Sequence, residues 1–333
     1  MKILVTGAAG FIGSHLCEEL LNKGYKVNAL VRYNSRQNKG WLENFTNKNL
    51  EIIYGDITDF DSVLSAIKDC DYVFNLAASI SVPYSFKNPQ TFIDTNILGA
   101  LNIFRAASLS KKKIKKIIQI SSSEVYGNNL VKDKNILTEE TITVSESPYA
   151  ATKIASDNLA ISMQKATGLP IVVARPFNTF GPRQSLRAVI PTIISQLVNT
   201  NNKKIKIGNI TSSRDFVYVK DTVDGLIKLM NSNNVIGEVI NISSNNSYSI
   251  KNIIEILSKY TKSKPKIEVQ QKRKRTSELN KLRGSNKKIY KLTKWKPKYA
   301  SKDNFSKALI ETYKWFSEPK NLKNYKDFNK YHM

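Results

Sequence analysis

Thr6-Gly7-Ala8-Ala9-Gly10-Phe11-Ile12-Gly13 joins an apolar run at residues 2–5 to a helical pattern at 12–23. Glycines in such a link permit a tight turn, close approach of backbone to a pyrophosphate and close packing of helix on strand, while the helix N-terminus stabilises the anion. Two residues separate each pair of glycines, in place of the one-then-two spacing of common dehydrogenases. A glycine-rich turn alone is a weak signal. Its place after the first strand of an alternating series makes it a strong one.

That series runs outward from the turn. Apolar runs at 26–31, 50–54, 72–76, 117–120 and 171–174 alternate with helical patterns at 59–67, 91–108 and 149–167. Strand and helix in alternation mean βαβ units and a parallel sheet. The expected class is α/β: a Rossmann-type doubly wound parallel sheet with a smaller C-terminal substrate-binding domain. Residues 1–180 form the NAD(P)-binding part, and a strand at 215–219, a helix at 221–230 and a strand at 239–242 return segments to it. Pro176, Gly181-Pro182 and Pro191 break the pattern, so 181–318 falls mainly to the substrate and 319–333 reads as a polar, lysine-rich surface tail. Lys111, Lys112, Lys113, Lys115 and Lys116 read as a solvated loop.

Composition narrows the chemistry. The 333 residues are 41% hydrophobic, enough for a large core. Two cysteines give neither a disulfide framework nor metal-ligand spacing, and two histidines, His15 and His332, leave no room for a Ser-His-Asp triad or a histidine-ligated metal; no metal is expected. The net charge of +25 is spread along the chain, and its densest stretch, 272–283, lacks interleaved aromatics, so no nucleic-acid partner is expected. There is no leader pattern and no apolar run near the roughly 20 residues a membrane span needs, which points to the cytoplasm.

Gly7, Gly10, Phe11, Ile12 and Gly13 are the candidate pyrophosphate contacts, and Ile57, Leu76, Ala77 and Ala78 are further cofactor-binding candidates, the last three in a segment that carries a family likeness. The second strand ends without an acid for a free ribose 2′-hydroxyl; Arg32 there favours NADP, with NAD possible and an exposed surface arginine as the alternative. Asp56 ends the third strand, where it hydrogen-bonds the adenine or closes a simple turn. Tyr149 and Lys153 lie one helical turn apart; the same spacing recurs at Tyr260/Lys264 and Tyr290/Lys294, without a preceding strand to place it. A lysine so placed lowers the tyrosine pKa and can reach the nicotinamide ribose, and Ser122 hydrogen-bonds the same substrate hydroxyl. Glu124 adds a base at a strand's carboxyl end. Once an alcohol is oxidised to a ketone, the neighbouring C–H becomes acidic; a carboxylate can remove it and expel a β-hydroxyl as water, with Ser123 assisting at the leaving oxygen. A tightly bound cofactor is then regenerated in each turnover.

With these residues the chain resembles the extended short-chain dehydrogenase/reductase superfamily. The supporting segments are Thr6 to Gly13, Asn75-Leu76-Ala77-Ala78, Asn96-Ile97-Leu98-Gly99, Ser121 to Gly127, Tyr149 to Lys153, Arg175-Pro176-Phe177-Asn178 and Arg214 to Asp221. Within it the chain looks like the nucleotide-sugar 4,6-dehydratases. Ser123-Glu124 replaces the Asp-Glu of the dTDP-glucose enzymes and is similar to the GDP-sugar branch, most of all to the GDP-N-acetylglucosamine 4,6-dehydratases of legionaminic acid biosynthesis. The resemblance implies a nucleotide-diphosphate sugar partner held by Asn178, Arg183, Val189, Arg214 and Arg273, and a homodimer formed by a four-helix bundle from the helices near 96–108 and 149–167. UDP-glucuronic acid decarboxylases and nucleotide-sugar 4-epimerases are the alternatives.

Overall fold

The computed structural model describes residues 1–35, 37–128, 136–198, 204–270, 281–323 and 325. The strands of the first half are β1 (Lys2–Thr6), β2 (Lys26–Val31), β3 (Leu50–Tyr54), β4 (Tyr72–Asn75), β5 (Lys116–Ile120) and β6 (Ile171–Pro176). Beyond them come β7 (Asn178–Phe180), β8 (Lys204–Ile207), β9 (Ser213–Arg214), β10 (Phe216–Tyr218), β11 (Val239–Ile242), β12 (Tyr248–Ser249), β13 (Lys266–Val269) and β14 (Lys281–Leu282). Among the described residues one sheet has seven strands, in the order β11-β6-β5-β4-β1-β2-β3, and all its pairings are parallel. The order reverses between β1 and β4, so the crevice at their carboxyl ends is the expected ligand position.

The helices are α1 (Phe11–Asn22), α2 (Phe60–Ile67), α3 (Val82–Lys87), α4 (Pro89–Phe92), α5 (Gly99–Leu109), α6 (Pro148–Thr167), α7 (Val189–Val198), α8 (Val219–Asn231), α9 (Ile250–Thr261), α10 (Lys287–Thr293), α11 (Lys302–Ser317) and α12 (Pro319–Leu322). Strand alternation sorts them onto two faces. On β1, Leu4 points to a core with Val63, Ala66, Ile103 and Phe104 from α2 and α5. Ile3 and Val5 point to the opposite core, which contains Leu16 and Leu20 of α1 and Leu226 of α8 and continues without a break to Ile193, Ile253 and Phe305. Both faces of the sheet are covered, as near-continuous apolar strands require. No helix among the described residues is long and apolar enough to cross a membrane.

Four sequence expectations change. The helix expected at 91–108 is α4 and α5 joined by a π-helical turn, Ile93–Leu98, and the strand expected at 215–219 is β10, which pairs with β7 outside the main sheet. Lys116 is no loop residue: it opens β5, is 3% exposed, and its Nζ donates to the carbonyls of Leu229, Met230 and Ser232 at the end of α8. The ammonium thus satisfies helix-terminal acceptors that have no partner within the helix. In the tail, the Tyr325 ring packs against Trp41, Trp315 and Phe316.

Candidate active site

The glycine turn is sterically closed to larger residues at two points. Gly7 has φ +64°, and a Cβ there would stand 2.9 Å from the amide nitrogen of Ala77; one on Gly13 would run into the Gly7 carbonyl. Gly10 caps α1 with no side chain, which leaves the first-turn amides without a side-chain acceptor and suited to an anion. Thr6 Oγ1 donates to Asn75 Oδ1 at 2.7 Å and accepts from the Ala77 amide at 3.0 Å, and Asn75 Nδ2 donates to Gln119 Oε1 at 2.8 Å. These bonds stitch the ends of β1, β4 and β5 and set Leu76, Ala77 and Ala78 beside the turn. The cradle fits the pyrophosphate of a dinucleotide.

Arg32 leaves the end of β2 with its side chain 82% exposed, and its Nε pairs with Asp56 Oδ2 at 3.2 Å. Asp56 Oδ1 accepts from the amide and hydroxyl of Thr58, both at 2.9 Å, so here the carboxylate serves the turn and the ion pair together. Ile57 is buried against Gly99.

The sheet brings the catalytic candidates together at the end of β5. Ser122 caps a short helical turn, Ser123–Tyr126, by accepting from the Glu124 amide at 3.2 Å. Pro148 at the start of α6, with the Ser147 cap, presents Tyr149 to that turn. Burial pushes the Tyr149 hydroxyl up to about 12; its hydrogen bond with Ser122 opposes this, and the nearby Glu124 and Asp157 charges add to it. Phe92 packs edge-on against the phenol ring at 6.2 Å. Lys153 Nζ donates to the Ile120 carbonyl at 2.7 Å, and burial lowers its pKa to about 8. The expected lowering of the Tyr149 pKa by Lys153 is therefore not what this state contains. Desolvation of the phenolate dominates, and only the Ser122 hydrogen bond opposes it. Ser123, the expected assistant at the leaving group, is 3% exposed.

The other candidates are more dispersed. Asn178 opens β7 opposite Phe216, and Val189 opens α7. Arg214 in β9 donates to the Ser213 carbonyl at 3.0 Å, next to Asp215, whose carboxylate gathers the amides of Ser244, Asn245 and Gly284. Arg183, at φ +69°, turns towards α1: its guanidinium pairs with Glu18 at 2.7 Å and reaches Ser14 at 3.4 Å. That engagement makes it a tie between the 181–184 segment and α1, a role its sequence context does not suggest. Arg273 lies outside the described residues.

Two supports stand outside the candidate site residues. Asn96, in the π turn, accepts from the Ser79 amide at 2.8 Å and donates to Thr152 Oγ1 at 3.0 Å, so it fixes the loop after β4 to α6. Such π turns often mark functional sites. Asp157, one turn beyond Lys153, accepts from Ser121 Oγ at 2.8 Å and Arg175 Nε at 3.0 Å, and Arg175 also donates to the Tyr126 hydroxyl at 3.1 Å. The spacing of four from Lys153 was its only sequence signal.

A family described as GDP-mannose 4,6-dehydratase matches residues 4–307. The chain is 34% identical to a UDP-N-acetyl-alpha-D-glucosaminuronate decarboxylase of Bacillus cytotoxicus over 80% of its length and 82% of that protein's. It is 30% identical to the human dTDP-D-glucose 4,6-dehydratase over 99% of its length and 93% of the relative's. Among solved structures, the UDP-glucuronic acid 4-epimerase of Bacillus cereus, in complex with UDP-glucuronic acid and NAD, superposes with a TM-score of 0.84 at 31% identity, covering 95% of this chain and 99% of that one.

Proposed function

Because the chain belongs to the GDP-mannose 4,6-dehydratase family, among the nucleotide-sugar-modifying extended short-chain dehydrogenases/reductases, we propose that it is itself a nucleotide-sugar 4,6-dehydratase whose substrate is GDP-N-acetylglucosamine. The observation that carries this reading is Glu124 set beside the Ser122–Tyr149 hydrogen bond, at the carboxyl end of β5. As its phenolate, Tyr149 takes the proton of O4 while Ser122 holds that oxygen. What a bound nicotinamide supplies is reversible hydride storage: the hydride lost at C4 reappears at C6, so no external reductant is consumed. The C4 ketone acidifies C5–H; Glu124 removes that proton and passes it to the C6 hydroxyl, which leaves as water with Ser123 next in the chain to assist, and when hydride returns to C6 a solvent-derived proton returns to C5. Residues 181–318 would hold mainly the nucleotide sugar, through Asn178 at their edge, Val189 and Arg214. Cys17 and Cys70, both free and buried, suit a reducing cytoplasm.

Incubation with UDP-, GDP- and dTDP-hexoses is expected to give a product lighter by one water from a GDP sugar, read by mass spectrometry. The identity to a decarboxylase favours a second reading from the same C4 ketone. Loss of carbon dioxide would establish that one, and an unchanged mass with inverted C4 would mean epimerisation. Arg32 at the end of β2 supports NADP, and the exposed Leu98, flanked by exposed Ile93 and Leu109, supports a dimer through the helices near 96–108 and 149–167. Native mass spectrometry of the purified protein is expected to find two chains, each with one NADP. Bound NAD would return Arg32 to a surface role; a lone chain would remove the dimer.

A further inference from the structure

The last described residues of the chain meet the loop that walls the glycine turn. Trp41 lies in the single turn Gly40–Leu42 between β2 and β3. Its amide donates to the Ala9 carbonyl at 3.2 Å, and a Cβ on Gly40 would stand 2.7 Å from the same oxygen. Gly40 and Trp41 therefore lie directly on the backbone of the glycine turn, and the segment leading to them is pinned by the Tyr54 hydroxyl donating to the Gln37 carbonyl at 2.8 Å. On its other side the Trp41 ring packs against Trp315 at 5.4 Å and Tyr325 at 5.3 Å, and Tyr325 packs against Phe316 at 5.6 Å. The Tyr325 hydroxyl donates to the Gln184 carbonyl at 2.8 Å, and the 181–184 segment is held to α1 by Arg183–Glu18 and by the His15 ring donating to the Pro182 carbonyl at 3.0 Å. One aromatic cluster thus joins the segments on both sides of the turn.

We propose that Trp315, Phe316 and Tyr325 form a clasp that retains the dinucleotide by holding residues 37–42 against the glycine turn. The inference rests on the nicotinamide reading above. A reaction that takes hydride from C4 and returns it to C6 fails if the cofactor departs in between, so slow release is a requirement of the chemistry. A loop in contact with the cradle sets that release rate through how often it opens. Ring contacts stabilise the closed loop, and each one removed raises the open population.

The test is the release of bound NADPH, and separately NADH, chased with excess oxidised cofactor and followed by fluorescence. In Tyr325→Ala and Trp315→Leu, each of which removes three ring pairs among the described residues with one of them to Trp41, release is expected to quicken about tenfold, while affinity for whichever of GDP or UDP the unaltered chain binds stays within about twofold. Tyr325→Phe keeps the ring and loses the bond to Gln184 that anchors it, so it folds even if the larger truncations do not, and it still has to release faster than the unaltered chain. Tyr290→Ala, an exposed ring elsewhere, is the control. Unchanged release in these variants overturns the clasp alone, as does a parallel loss of nucleotide affinity, which would mark general unfolding. An unaltered chain that takes up neither cofactor overturns the nicotinamide reading and the clasp with it.

Discussion

Arg175→Met is expected to cost about 3–5 kcal/mol of folding stability, the range for breaking one side of a buried ion pair. The Arg175 and Asp157 side chains are 7% and 3% exposed, and Asp157 Oδ1 already has no hydrogen-bond partner among the described residues. Burial pushes the Asp157 carboxyl up, and the Arg175 guanidinium and Ser121 hydroxyl pull it back. Without the arginine the upward push is opposed only by the Ser121 hydroxyl and the smaller pull of the Lys153 charge, so the folded variant holds a proton on Asp157 at a pH where the unfolded chain has lost it. A group whose folded pKa is raised loses stability as pH rises through that pKa, so the deficit should be smallest in acid and full near neutrality. Arg175 also donates to Tyr126, whose hydroxyl donates to Asn241 Oδ1 at 2.7 Å; the loss therefore spreads from α6 through β6 to β11. Urea unfolding at two pH values measures it. Adding Asp157→Leu should recover much of the loss, because no charge is then left buried alone. A deficit below about 1 kcal/mol, or a double variant as unstable as the sum of the singles, would mean that the pair is solvated or that the network, not the charge, holds the fold.

What the sequence disclosed follows from how local each determinant is. The glycine turn, the parallel strands and the Tyr149–Lys153 face depend on residues within a few positions of one another, so periodicity and spacing reveal them. The π turn at Ile93–Leu98 depends on Asn96 reaching Ser79 and Thr152, partners far away in the chain, and a helical pattern cannot register it. Lys116 belongs to a visible run of lysines, yet β5 begins at that residue and α8, more than a hundred positions on, ends over its ammonium. Tyr325 was hidden by its polar neighbours. For Tyr149 the spacing to Lys153 was legible, but the dominance of burial over the Ser122 hydrogen bond was not, because desolvation is a property of the assembled site. Arg183 shows the same limit: an arginine after Gly181-Pro182 suits a phosphate by chemistry, and only the fold reveals Glu18 within 2.7 Å of it.

Glu124→Gln is expected to lower turnover about 10²–10⁴-fold, the usual contribution of a positioned proton-transfer group, and to do so at one step only. Glutamine preserves the shape of the turn, since the bond that orders it runs from the backbone amide of residue 124 to Ser122 Oγ. Ser122, Tyr149 and Lys153 keep their places, so oxidation at C4 should proceed and reduced nicotinamide should accumulate on the protein when substrate is added. Solvent deuterium should no longer enter at C5, and no water should be lost. Tyr149→Phe fails earlier, with no reduced cofactor, because the O4 proton then has no acceptor. The contrast between the two variants separates the residues that make the ketone from the one that uses it. Unchanged turnover in Glu124→Gln would remove Glu124 from the mechanism. The three remaining groups would then serve decarboxylation or C4 inversion equally well, since neither reaction requires a base to take a proton from C5.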